Sequence, residues 1–84
     1  MYRVELERSA EKELNALPAH VFSRVIEVLR NLSNEPRPPG CRKLVGSVND
    51  WRVRVGDYRV VYETDDAERV VRVMRVRLRS RAYR

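Results

Sequence analysis

The chain has 84 residues, 43% of them hydrophobic and 36% charged, with a formal net charge of +6. That length suits one small domain, expected to span residues 1–84, with enough apolar residues for a core. A single cysteine, Cys41, and a single histidine, His20, exclude an internal disulfide and a Cys/His zinc site. No secretory h-region opens the chain and no run reaches the length of a membrane span, so a cytoplasmic protein with no membrane partner, metal or cofactor is expected.

In chain order, "YRVELERS" alternates Tyr2, Val4 and Leu6 with Arg3, Glu5 and Glu7, which predicts a first strand with one buried face. Ser9 is placed to cap a first helix, with Glu11 and Glu13 near its positive end and Ala10, Leu14 and Leu17 on one stripe. Pro18 stops that helix and suits the first turn of the next. In "PAHVFSRVIEVLRNLS", Val21, Phe22, Val25, Ile26, Val28, Leu29 and Leu32 recur at helical spacing. "NEPRPPG" is a loop, "CRKLVG" a short edge segment, and "SVND" a turn. Three strands follow, at about 51–56, 58–64 and 69–78, with "TDDAE" linking the last two. The order βααβββ, with a helical pair over one face of an antiparallel-rich sheet, is α+β.

Charge is segregated along the chain. Residues 1–40 hold six Lys/Arg and six Asp/Glu, whereas residues 41–84 hold twelve and six. From Arg69 onward there are seven arginines and no acid. General arginine enrichment accounts for the number of arginines but not for their segregation, which points to a directed site for a polyanion.

The stretch "DWRVRVGDYRVVYE" gives that site a shape. A two-residue turn at Gly56-Asp57 sets Val55 opposite Tyr58, Arg54 opposite Arg59, and Arg52 opposite Val61. Trp51, Val53, Val55, Tyr58, Val60 and Tyr62 then share the face packed under the helices, and Arg52, Arg54 and Arg59 share the other. In the last strand Arg75, Arg77 and Arg79 take one parity and Met74, Val76 and Leu78 the other, so those arginines are expected on the same open face. Such a face is either merely solvated or a phosphate site. Opposed arginines from several strands, with Tyr83 four residues after Arg79, favour phosphate or nucleic-acid binding. His20 reads as a surface or capping residue, Cys41 as a packing or exposed one, and Asp57 as turn chemistry. Glu63 is open to two readings, a surface residue or a contact of the arginine cluster.

"KLVG", "DWRVRVGDYRVVYE" and the ending "VMRVRLRSRAYR", in that order and spacing, resemble the RelE/ParE superfamily of toxins from type II toxin–antitoxin systems, and "SAEKELNALP" fits its first helix. The resemblance covers essentially the whole chain and implies a RelE-like fold. Its RelE branch implies a metal-independent endoribonuclease (an mRNA interferase) that cuts mRNA in the ribosomal A site and is silenced by a cognate antitoxin. Operator DNA would be met only through the antitoxin complex. Carried over, the catalytic positions are Arg52, Arg54, Arg59, Arg79 and Tyr83. Apart from the resemblance, Lys43, Arg75, Arg77 and Arg81 are expected as further RNA contacts. Tyr83 would be the base for the attacking 2′-hydroxyl, Arg52, Arg54 and Arg59 would hold the phosphate, and Arg79 would steer the leaving group. The chain departs from the pattern in carrying Arg52 and Arg54 where ribosome-dependent relatives typically carry Lys, and Leu78 where many carry His. Two alternatives follow: a ParE-like toxin that inhibits gyrase without nuclease activity, and a catalytically weak homologue that only binds its antitoxin.

Overall fold

The computed structural model describes residues 1–79. The elements run β1 (Arg3–Leu6), α1 (Arg8–Asn15), α2 (Ala19–Asn34), β2 (Arg42–Lys43), β3 (Asp50–Val55), β4 (Tyr58–Asp65) and β5 (Val70–Leu78). The five strands form one sheet in the order β1-β5-β4-β3-β2, with β1 parallel to β5 and the other pairs antiparallel. "CRKLVG" thus contributes a fifth, two-residue strand at one edge.

The helices cover one face. Ala10, Leu14, Val21, Val25, Leu29 and Leu32 meet Val55, Val60, Tyr62, Val71, Val73 and Val76 in a single buried core. Val25, Leu32, Val60, Tyr62, Val71 and Val73 have less than 2% of their surface exposed, so the helical and strand periodicities converge on one interior. No helix among the described residues is long and apolar enough to cross a membrane.

The β3–β4 hairpin has the register expected from its sequence, including Val55 with Tyr58, Arg54 with Arg59, and Arg52 with Val61. Gly56 has φ +61° and Asp57 does not share a positive φ, which is the pattern of a type II′ turn. A Cβ at position 56 would stand 3.2 Å from the Arg24 guanidinium, so both backbone and space favour glycine there.

Three local expectations are corrected. Ser9 does not cap α1, which starts at Arg8 after Glu7 and has no side-chain cap. The Ser9 hydroxyl instead donates to the Met74 carbonyl at 3.0 Å. Pro18 is the residue before α2 rather than part of its first turn, and its carbonyl accepts from Val21 and Phe22. Finally, β5 does not keep one parity. The ladder to β4 slips between Val61 and Tyr62, which face Arg75 and Val73, so Met74 is an extra residue. This bulge moves the core-facing parity from that of Val71 and Val73 to that of Val76.

On its other edge β5 pairs with β1 only over Val70–Val73, leaving the far half of that edge without a neighbouring strand. Side chains of α1 close that edge: Ser9 takes the Met74 carbonyl, and the Glu13 carboxylate accepts the Val76 N–H at 3.0 Å. Two backbone groups of an open strand edge are thereby satisfied without a further strand.

The corner formed by β1, the proline-rich loop and the β4–β5 turn is held by polar contacts. The Tyr2 hydroxyl donates to Asp66 at 2.6 Å, and Arg37 donates to the same Asp66 oxygen at 3.2 Å. Arg37 also lies 5.8 Å from the Trp51 ring centre, a cation–π contact. The hydrogen bond from Tyr2, and then Arg37, holds the Asp66 carboxyl below its ordinary range. A carboxylate depressed in the folded state adds stability above its unfolded pKa and loses it as pH falls through the folded value. Asp66→Asn should therefore flatten the acid limb of a melting-temperature profile while changing less at neutral pH, as differential scanning fluorimetry across pH would show.

Candidate nucleic-acid interface

The sheet face turned away from the helices carries the charge. Strand register sorts its side chains into rows that run across the sheet. Arg54, Arg59 and Arg77 form one row. Arg42, Arg52, Val61 and Arg75 form the next. The third is Asp50, Glu63, Arg72 and Glu5. The face is therefore divided. Its third row holds three acids and one arginine, with Arg72 bonded to Glu63 and 3.8 Å from Glu5. The first two rows contain six arginines and no acid of their own.

Placing arginine directly opposite arginine costs free energy on a sheet, and the face does so at Arg54–Arg59, Arg59–Arg77 and Arg42–Arg52. Arg59 lies in the middle and is only 6% exposed. Burial weakens solvent screening there, so a bound anion would feel its charge more strongly than that of an exposed arginine. Val61 and Val70 are buried on this same side, outside the helix-facing core.

Two of the open-face arginines of β5, Arg75 and Arg77, have an acidic partner. Glu13 reaches round the β5 edge to Arg77 at 3.1 Å and Arg75 at 3.4 Å. The same carboxylate holds the Val76 N–H, so one residue on α1 fixes the strand edge and the two arginines beside it. Glu13→Ala should cost about 1–3 kcal/mol, because it strips a charged acceptor from a part-buried N–H. Glu13→Gln, which keeps an acceptor, should cost less, and urea denaturation would measure both. Glu63 is a partner of Arg72, within the acid-rich row rather than the arginine cluster.

Arg52 and Arg54 occupy neighbouring open-face positions of β3, half-buried and exposed respectively. Arg79 lies just past β5, and its N–H donates to the Asp57 carbonyl at 2.7 Å, which brings it to the hairpin tip. Lys43 pairs with Trp51 and therefore lies on the opposite parity to Arg52. The residue that β2 adds to the basic face is Arg42, which the sequence reading did not single out. The signal was available in the register, since whichever residue of β2 opposes Arg52 must share its face. Arg81 and Tyr83 lie outside the described residues. Among the described residues no group of three or more His, Cys, Asp or Glu is placed to hold a metal ion.

A two-helix layer on one side of a five-stranded sheet, with a row of arginines on its bare side, defines a small class of proteins. The sequence model of the family described as "ParE toxin of type II toxin-antitoxin system, parDE" matches residues 4–83. Toxin RelG of Mycobacterium tuberculosis is 33% identical over 99% of this chain and 97% of its own length. A putative toxin RelE1 of Methanocaldococcus jannaschii is 28% identical over 99% and 96%. Among solved structures, the RelE–RelB complex of Pyrococcus horikoshii superimposes with a TM-score of 0.84 at 32% identity, over 96% of this chain and 98% of that one. The isolated Escherichia coli RelE toxin gives a TM-score of 0.85 at 26% identity, over 98% and 88%. The chain belongs to the RelE/ParE superfamily and is a RelE-like toxin of a type II toxin–antitoxin system.

Proposed function

We infer that the protein is a ribosome-dependent mRNA endoribonuclease, kept silent by an antitoxin that covers its basic face. The observation that carries this reading is the row Arg54–Arg59–Arg77, three guanidinium groups from three adjacent strands with Arg59 almost buried at the centre. Guanidinium forks match phosphate oxygens. Charge that develops on a pentacovalent phosphate is stabilised by donors already fixed in place.

In the reaction, the 2′-oxygen of one nucleotide attacks the adjacent phosphorus and gives up its proton to a base. The bond to the 5′-oxygen breaks, and that oxygen takes a proton on leaving. The products are a 2′,3′-cyclic phosphate and a 5′-hydroxyl. Arg59 and Arg54 hold and neutralise the phosphate, with Arg52 beside them. Arginine stays protonated and does not serve as the base, so that role goes to Tyr83, with Arg79 near the leaving oxygen. The antitoxin is proposed because several structural relatives were solved as RelE–RelB complexes. An acidic segment of the antitoxin would offset the same like-charge repulsion that an RNA phosphate does.

Primer extension of mRNA on programmed ribosomes tests the reading, beside a gyrase supercoiling assay. Discrete cuts that weaken with Tyr83→Phe support it. The family description also names ParE toxins, so intact mRNA together with loss of supercoiling would move the protein to the gyrase-inhibiting branch.

A further inference from the structure

We propose that Arg77, steadied by Glu13, reads a guanine base beside the reacting phosphate, in the groove between α1 and the end of β5. The inference rests on the RNA-cleavage reading above and adds to it a determinant of which sequence is cut. The groove has a volume of about 230 Å³, enough for one nucleobase. Ala16 and Leu17, just past the end of α1, line it together with Tyr58 and Leu78, which pair across β4 and β5. Its charged lining residues are Glu13 and Arg77. An apolar slot with an aromatic ring and a few polar groups suits an unstacked base. Register ties this slot to the chemistry, because Arg77 stands directly opposite Arg59 at the end of the first row. A strand whose phosphate lies on Arg54 and Arg59 can set a neighbouring base over the β5 edge, which β1 leaves uncovered beyond Val73.

Glu13 decides what Arg77 can take. Its Oε1 accepts the Val76 N–H at 3.0 Å, which fixes the carboxylate to the strand. Its Oε2 lies 3.1 Å from the Arg77 Nε. The guanidinium charge is thereby offset, and an anion at Arg77 would also meet the carboxylate. Arg77 is for that reason a poor phosphate ligand beside Arg54 and Arg59. The contact at Nε leaves the terminal nitrogens, whose N–H donors suit a pair of neutral acceptors. Guanine offers that pair, O6 and N7, on one edge. Adenine sets an amino donor beside N7, cytosine presents an amino donor, and uracil offers a single acceptor. A guanidinium already anchored at Nε loses less freedom when it engages the base. Glu13 is in this sense a positioning residue, acting through Arg77.

The test measures single-turnover cleavage by the full chain on programmed ribosomes, with codons that differ only at the bases flanking the cut. Wild type should cut about tenfold faster with guanine at one flanking position. Inosine there keeps O6 and N7 and should act as guanine does. 7-Deazaguanine lacks N7 and should lose most of the advantage. Arg77→Ala should level the four bases and both analogues. Glu13→Gln keeps an acceptor for the Val76 N–H and removes the charge beside Arg77, so it should shrink the guanine advantage. The same change made in Arg77→Ala should alter base preference no further. Wild-type cleavage without base preference, equal rates with guanine and 7-deazaguanine, or a guanine preference that survives Arg77→Ala overturns the proposal while the nuclease reading stands. The analogue comparison uses wild-type protein and needs no variant to fold. If wild type cuts no codon, the nuclease reading itself fails, and the base reading with it.

Discussion

Arg59→Ala is expected to lower mRNA cleavage by about two to three orders of magnitude, the effect of removing one preorganised donor from a developing oxyanion. Its position gives the reason. Arg59 sits in β4, paired with Arg54 on one side and Arg77 on the other, and only 6% of its surface is exposed. It is the member of the row least screened by water. Arg59→Lys should recover only part of the activity, since it keeps the charge and loses the planar fork. Arg30, exposed on α2 away from this face, supplies the control, and Arg30→Ala should leave cleavage near wild type. Equal losses at Arg59 and Arg30 would mean that diffuse charge, and not the row, does the work. Single-turnover cleavage on programmed ribosomes measures all three.

The largest effect on stability is expected at Tyr62. Its ring has no exposed surface, and its hydroxyl donates to the Pro36 carbonyl at 2.8 Å. Burial, with Cys41 beside it, pushes the phenol pKa well above its ordinary value, so it is a neutral donor throughout the working range. Removing the ring in Tyr62→Ala should cost about 3–5 kcal/mol. Small domains are stable by only about 5–15 kcal/mol in total, so this variant should be largely unfolded at physiological temperature. Tyr62→Phe keeps the ring and leaves the Pro36 carbonyl unpaired, at about 1–3 kcal/mol. Urea denaturation followed by circular dichroism would separate the two. A Tyr62→Phe loss as large as that of Tyr62→Ala would show that the loop anchor, not the packing, dominates.

The hairpin was the most legible part of the sequence. Strict alternation around Gly56-Asp57 puts Trp51, Val53, Val55, Val60 and Tyr62 on one face for any even-length loop, and the two-residue turn opposes Arg54 to Arg59. The long helix was legible for a similar reason, since seven apolar residues at helical spacing admit one buried stripe. Strand β5 was less so. "VVRVMRVRL" reads as a single alternation only if Met74 is counted in step, and the bulge that takes it out of step is dictated by the pairing with β4. The role of Glu13 was hidden because its partners lie more than sixty residues away. Locally it reads as an acid near a helix start. The strand edge it closes exists only because β1 ends early. Ser9 misled for the same reason: a residue type suited to capping was recruited by a carbonyl on β5. For the site, Arg52, Arg54 and Arg59 could be placed from register alone, whereas choosing between Lys43 and Arg42 needed the pairing of a two-residue strand that no periodicity specifies.

The central claim is that the arginine row acts on RNA phosphate. The most direct measurement is cleavage of a defined mRNA on programmed ribosomes by purified protein, with the 3′ ends of the fragments analysed chemically. The account predicts discrete cuts in the A-site codon that end in 2′,3′-cyclic phosphate, and their near disappearance with Arg59→Ala. Intact mRNA under wild-type protein that folds and binds ribosomes, or cuts of equal strength with Arg59→Ala, would contradict it.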